Sequence, residues 1–218
     1  MPIRDIICTE DILCPHSHEV APHTMTAVNQ LSTNQTASDE SISPDRSFLN
    51  DLNRFQRILM VTDGTVTELL EQYAAETIKV RKLFEKVETS FDELITHHQQ
   101  YLDPSSLPVL KRAILLQGQT TKTNWLYAES SILLDNLHPG FRADLLASRE
   151  PIGRLWEKYR YETFKTILNY QKRPAGELAG YFELPEDSTM IARTYRVYSG
   201  NKPIMIITEM FPDSLFQQ

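Results

Sequence analysis

The run from Met190 to Pro212 constrains the fold of this chain more than any other segment. Two β-branched and aromatic stretches flank Ser199-Gly-Asn-Lys202, a combination that signals a β-hairpin. Ile204 to Ile207 is apolar at every position, so it reads as a central strand covered on both faces. Glu209 follows directly, and Met210, Phe211 and Pro212 come after it. An ionised carboxylate in such surroundings is costly unless it is paired or hydrogen-bonded. Glu209 therefore reaches water at a strand end, pairs with an arginine of the neighbouring strand, or points into a closed pocket. Its partner depends on the turn. With a two-residue Gly200-Asn201 turn, Glu209 faces Ala192 and shares its face with Arg196; one extra residue places it opposite Arg193.

The rest of the chain must supply a sheet for this hairpin to join. At 218 residues and 41% hydrophobic content it can bury one sizeable core. Leu49, Leu52, Phe55, Ile58 and Leu59 recur at helical spacing from Phe48 onward. Thr62-Asp-Gly-Thr65 breaks that pattern. Thr65-Val-Thr-Glu68 then reads as a capping box for a helix with the stripe Val66, Leu69, Leu70 and Tyr73. Its free N-terminal amides lie beside a glycine, a geometry that can receive an anion. Ile78–Val87 reads as a strand, and Phe91–Pro108 as loop with one short helix. Val109–Gln117 and Trp125–Leu134 read as strands joined by a polar turn. A short helix is expected over Pro139–Ala147, a second from Pro151, and a further strand over Tyr161–Tyr170. The sum is an α+β chain with one antiparallel sheet of about six strands and helices packed on one face.

Residues 1–47 are set apart from this domain at 48–218. Leu31–Ser47 holds seven Ser or Thr and almost no large apolar residue, so a disordered N-terminal tail is expected. Cys8, Cys14, His16, His18 and His23 cluster ahead of it, but their spacing matches none of the usual zinc patterns, and no metal site is assigned. Two cysteines provide no disulfide framework and suit a reducing cytosol. The first residues lack a basic stretch followed by an apolar one, and no apolar run is long enough to span a bilayer. A cytoplasmic protein without membrane insertion is expected. The net charge of −7 argues against nucleic acid as a partner.

The signatures of phosphate-binding loops, zinc hydrolases and serine esterases are absent from the sequence. What remains is one carboxylate and several arginines on apolar strands. Arg112, within Val109-Leu-Lys-Arg-Ala-Ile-Leu-Leu116, reads either as an edge-strand surface residue or as a fork that holds a carboxylate through two hydrogen bonds.

Taken in order, several segments resemble the chorismate pyruvate-lyases, particularly the longer branch found in cyanobacteria and plastids. They are Thr62-Asp-Gly-Thr-Val-Thr-Glu-Leu-Leu-Glu71, the strand around Arg112, Trp125-Leu-Tyr-Ala-Glu-Ser130, Pro151-Ile-Gly-Arg-Leu155 and Lys202-Pro-Ile-Met-Ile-Ile-Thr-Glu-Met-Phe-Pro212. Together they cover roughly residues 50–215. The resemblance implies a six-stranded antiparallel sheet with helices on one face. It also implies an aromatic product held by Arg112 and Glu209, with backbone contacts near Val66 and Ile152. Ala128-Glu129 stands where the shorter bacterial enzymes carry Gly-Arg, which leaves the group for the substrate's second carboxylate open; Arg193 and Arg196 are the candidates.

The activity implied is elimination of pyruvate from chorismate, giving 4-hydroxybenzoate for quinone biosynthesis of the plastoquinone or ubiquinone type. Aromatisation drives such a step, so no cofactor is expected. The protein's part is orientation and charge placement in a dry pocket. Arg112 would anchor the ring carboxylate, while Glu209 would accept from the hydroxyl and could relay the proton. A monomer acting on a small molecule is expected. The alternative is the small-molecule-sensing domain of a transcription repressor with the same fold and no catalysis. That reading calls for a basic helix-turn-helix ahead of the sensor, where residues 1–47 are polar and acidic.

Overall fold

The computed structural model describes residues 44–91, 96–103, 105, 107–147, 152–160 and 162–217. The chain divides after Ser38, and all described residues belong to the unit beginning at Asp39. The Cys8–His23 cluster and nearly all of the expected tail lie outside the described residues. The described residues start a little before position 48, and Asp45 caps a 3-10 turn over Arg46–Asp51.

Six strands form one sheet, with every neighbouring pair antiparallel: β1 (Ile78–Glu88), β2 (Val109–Gly118), β3 (Asn124–Leu133), β4 (Thr163–Pro174), β5 (Thr189–Ser199) and β6 (Lys202–Pro212). Their spatial order is β1-β2-β3-β6-β5-β4. Each half is a set of sequential hairpins, and β3 and β6 join the halves at the centre. The central place of β6 accounts for its apolar run: Ile204 to Met210 is buried throughout.

The helices are α1 (Arg54–Val61), α2 (Val66–Ala74), α3 (Pro139–Ala147), α4 (Ile152–Tyr159) and the single turn α5 (Ala179–Phe182). The capping box lies one helix earlier than the sequence suggests. Asn53 Oδ1 accepts from Gln56 N–H and Gln56 Oε1 accepts from Asn53 N–H, starting α1, whereas Thr65 starts α2 without a side-chain cap. The helix-spaced run from Phe48 is thereby split into the 3-10 turn and α1. Other ends shift by a few residues, most visibly in β4, which runs to Pro174.

Helices α1 and α2 pack on one half of a sheet face through Leu59, Met60, Val66 and Leu70 against Leu116, Leu126, Ile191 and Phe211. Helices α3 and α4 cover the other half through Phe141, Leu145 and Leu155 against Leu110, Ile132, Tyr195 and Val197. The opposite face is closed by α5 and its flank against Leu115, Tyr127, Met210 and Ala192. Residues 97 and 98 lie over Thr208 on that same face.

The register of β5 and β6 resolves the position of Glu209. The turn is the two-residue one, with Ser199 opposite Lys202 and Gly200 at a left-handed φ of 56°. A bulge follows at once: Tyr198 pairs with Pro203 but Val197 pairs with Met205, leaving Ile204 over. That extra residue shifts the pairing by one and brings Glu209 opposite Arg193.

Candidate active site

The same-face rows of the central strands build the floor of a cavity. One row runs Arg112, Ser130, Ile207 and Tyr195 across β2, β3, β6 and β5; the next runs Ile114, Ala128 and Glu209, and Arg193 continues it outside the cavity. The roof is the gap between the two helix pairs, where α2 starts at Val66 and α4 at Ile152. Thr65, Val66, Thr67, Ile152, Gly153 and Trp156 line it, about 580 Å³ of space lies between protein atoms, mouth included, and the walls are mostly apolar.

The two helix starts approach so closely that a Cβ on Gly153 would lie 2.3 Å from Thr65 Cγ2, so any larger residue there requires the Thr65 side chain to move. Arg154 Nη2 donates to Glu71 Oε1 at 2.8 Å and ties α4 to α2. The segments Thr62–Glu71 and Ile152–Leu155, far apart in sequence, thus meet over the cavity. Val66 and Ile152, the first residues of α2 and α4, both line it.

Arg112 is 3% exposed, and its Nε, Nη1 and Nη2 have no hydrogen-bond partner among the described residues. The nearest carboxylate oxygen, Glu85 Oε2, is 3.7 Å from Nε, beyond hydrogen-bond length. Burial pulls the Arg112 pKa down and Glu85 offsets part of that pull; a guanidinium keeps its proton regardless. A buried, unsatisfied fork of this kind is a standing requirement for a planar anion.

Glu209 is 6% exposed, and each of its oxygens accepts one hydrogen bond. Its Oε2 accepts from Arg193 Nε at 2.7 Å and its Oε1 from Tyr195 Oη at 2.9 Å. Burial and then the Glu209 charge push the Tyr195 phenol well above its ordinary pKa, so it remains a donor. A carboxylate offers about four lone-pair sites, which leaves capacity for a ligand hydroxyl.

Arg193 does not line the cavity, contrary to its expected role against the substrate. It is wholly buried, and Nη1 donates to Thr62 O at 2.9 Å, so its task is to hold Glu209 and the turn before α2. Burial opposes its charge, but Glu209 together with Tyr195 outweighs this and raises its pKa. Arg196 points to the opposite face, where Nη2 donates to Tyr101 O at 2.9 Å. In the Ala128-Glu129 pair, Ala128 lines the cavity, while Glu129 turns away to accept from Tyr127 Oη at 2.7 Å and to meet His97 Nδ1 at 3.1 Å.

Sequence reasoning missed Lys165, Tyr195 and Trp156, all on the cavity wall. Tyr195 could have been found from the register once the bulge was known. Lys165 carried no signal, since it follows Phe164 in a strand whose apolar residue faces outward at 48% exposed.

The site is a largely apolar cavity with a mouth, an incompletely compensated cation on one wall and a fixed carboxylate on another, suited to a small organic anion. Residues 60–218 match the family described as chorismate pyruvate-lyase Rv2949c-like. A chorismate pyruvate-lyase of Mycobacterium tuberculosis strain H37Rv is 31% identical over 179 residues, covering 78% of this chain and 88% of the relative. One from Mycobacterium leprae is 32% identical over 201 residues, covering 85% and 83%. Among solved structures, the effector domain of PhnF from Mycobacterium smegmatis superposes with a TM-score of 0.52 at 13% identity, over 70% of this chain and 91% of that domain, a likeness of fold alone. The chain belongs to the chorismate pyruvate-lyase Rv2949c-like family and, as a member, is an enzyme of the lyase class. Among the described residues no helix is long and apolar enough to cross a membrane.

Proposed function

We propose that this protein eliminates pyruvate from chorismate to give 4-hydroxybenzoate, with Arg112 holding the ring carboxylate and Glu209 the ring hydroxyl. The observation that carries the reading is the Arg112 guanidinium, buried with no hydrogen-bond acceptor for its three nitrogens among the described residues, only Glu85 at 3.7 Å, and sharing its cavity with Glu209. β2 and β6 are two strand spacings apart, roughly 10 Å. Two inward side chains across that gap suit a six-membered ring carrying a carboxylate and a hydroxyl at opposite ends.

The reaction is redox-neutral. The ring carbon bearing the hydroxyl loses its proton, that electron pair closes the aromatic ring, and the adjacent ether bond breaks. The departing enolpyruvate takes up a proton and becomes pyruvate. Arg112 and the amides near Val66 and Ile152 fix the ring, and Glu209, steadied by Arg193 and Tyr195, is the base candidate within the chamber. No step calls for a metal or a redox cofactor.

The same reading makes the protein a cytoplasmic monomer acting on a small molecule, with no nucleic acid or membrane partner, and its product a precursor of a plastoquinone- or ubiquinone-type ring. It places catalysis in residues 48–218, so removing residues 1–43 should leave turnover unchanged. A sensing role has only the fold in its favour, whereas the sequence relatives are named as lyases.

The test is incubation of EDTA-treated full-length protein with chorismate. Absorbance should report 4-hydroxybenzoate, and a coupled reductase should report pyruvate in equal amount. No product would sink the reading; activity lost on chelation and restored by zinc would sink its cofactor-free part.

A further inference from the structure

We infer that Lys165, with the indole N–H of Trp156, forms the subsite for the second carboxylate of the substrate, the one on the departing three-carbon arm. This rests on the lyase reading above and names the group that distinguishes substrate from product.

Lys165 reaches the cavity from β4, on the far side from Arg112. Its Nζ donates to Asp63 O and Gly64 O, each at 2.8 Å, and lies 5.3 Å from the centre of the Tyr195 ring and 5.8 Å from that of Trp156. An ammonium has three donors, and two carbonyls account for two of them. Among the described residues no carboxylate lies within ion-pair distance of it. Burial draws its pKa down and the Glu209 charge partly restores it. Trp156 Nε1 is buried on the same wall with no acceptor among the described residues. The indole N–H of Trp156 thus lacks an acceptor, and the Lys165 ammonium keeps one donor beyond its two carbonyls, on a wall lined by aromatic rings.

The charges of the cavity are consistent with this. Glu209 is balanced by Arg193, so the remaining cations on the cavity wall are Arg112, which has only the more distant Glu85 carboxylate at 3.7 Å, and Lys165. They stand on β2 and β4, four strand spacings or roughly 19 Å apart at the backbone, with Glu209 between them on β6. Two long side chains extending inward narrow that span to the size of a small dicarboxylate. A ring with its carboxylate on Arg112 and its hydroxyl on Glu209 directs the substituent beside that hydroxyl toward β4. The aromatic product lacks this arm and so leaves Lys165 unsatisfied.

The experiment compares substrate and product on wild type and Lys165→Met. Wild-type turnover of chorismate is the control for the lyase reading itself; its absence defeats that reading and leaves Lys165 aside. Given turnover, Lys165→Met should raise KM for chorismate at least tenfold, while the Kd for 4-hydroxybenzoate changes less than threefold, and Lys165→Arg should recover part of the loss. Equal weakening of both would mean that Lys165 merely anchors the Asp63–Gly64 turn, and an unchanged KM would overturn the proposal outright. A measurement on wild type alone guards against a variant that fails to fold. 3-Carboxymethoxy-4-hydroxybenzoate should bind at least tenfold more tightly than 3-methoxy-4-hydroxybenzoate, and equal affinities would contradict a cationic subsite.

Discussion

Arg193 and Glu209 occupy directly opposed positions on β5 and β6, and their side chains close into a buried ion pair of 2.7 Å. The pair exists because a single bulge at Ile204 slips the register by one residue. Arg193 also reaches Thr62 O, so one guanidinium fixes both the carboxylate of the cavity and the turn that starts α2.

Removing one partner of such a pair strands the other. Arg193→Met should lower the unfolding free energy by about 3–5 kcal/mol in urea denaturation. A loss of only a few tenths would show that Glu209 finds water when Arg193 is gone.

Arg112 should behave in the opposite way, because its charge is incompletely compensated in the unliganded fold. Arg112→Met should change stability by less than about 1 kcal/mol, or raise it, while weakening 4-hydroxybenzoate binding roughly 10- to 150-fold. Titration calorimetry beside denaturant melts separates the two effects. Lysine at this position should restore binding only in part, since it lacks the planar fork.

Glu209→Gln keeps an acceptor oxygen but cannot take up a proton. If Glu209 takes part in the reaction, kcat should fall further than the affinity for 4-hydroxybenzoate, measured on protein confirmed as folded. Equal losses would reduce Glu209 to a positioning group.

The face opposite the cavity sets the pH dependence of stability. His98 is fully buried between Ser131 Oγ and Thr208 Oγ1, each at 2.9 Å, and burial, reinforced by His97, draws its pKa down to about 3 from an ordinary 6.5. Above pH 6.5 it is neutral in both folded and unfolded chains. As pH falls below 6.5 the unfolded chain takes up the proton first, so stability should decline by roughly 1.4 kcal/mol per pH unit from this group until the folded pKa is approached. Glu129 adds to the loss lower down. Its burial raises its pKa, but hydrogen bonds from His97 and Tyr127 outweigh that and hold it at about 2, against 4.5 ordinarily. Urea melts from pH 7 to 4.5 should show this slope in wild type and a flatter one in His98→Gln.

The sheet was legible in the sequence because its central strands are long and apolar, and the hairpin signals at Gly118–Asn124 and Ser199–Lys202 separate them cleanly. Arg112 and Glu209 stood out as charged residues in apolar strands. Arg193 opposite Glu209 was one of two readable registers, and the choice between them could not be made, since a β-bulge leaves no mark when the extra residue is as apolar as its neighbours. The capping box at Thr65 looked right by composition, yet Asn53 and Gln56 made the reciprocal bonds. Lys165 was invisible because a lysine in a strand beside an outward phenylalanine looks like any solvated residue. Its importance arises only when β4 folds against α4.

The central claim, that Arg112 and Glu209 hold the two ends of the ring, is tested most directly by a crystal structure of the protein with 4-hydroxybenzoate. The account predicts the carboxylate bound by the Arg112 fork at about 2.7–2.9 Å, with the phenol oxygen on Glu209 and the ring beneath the starts of α2 and α4. A product bound in the reverse sense, or outside the cavity with Arg112 still unpaired, would contradict it.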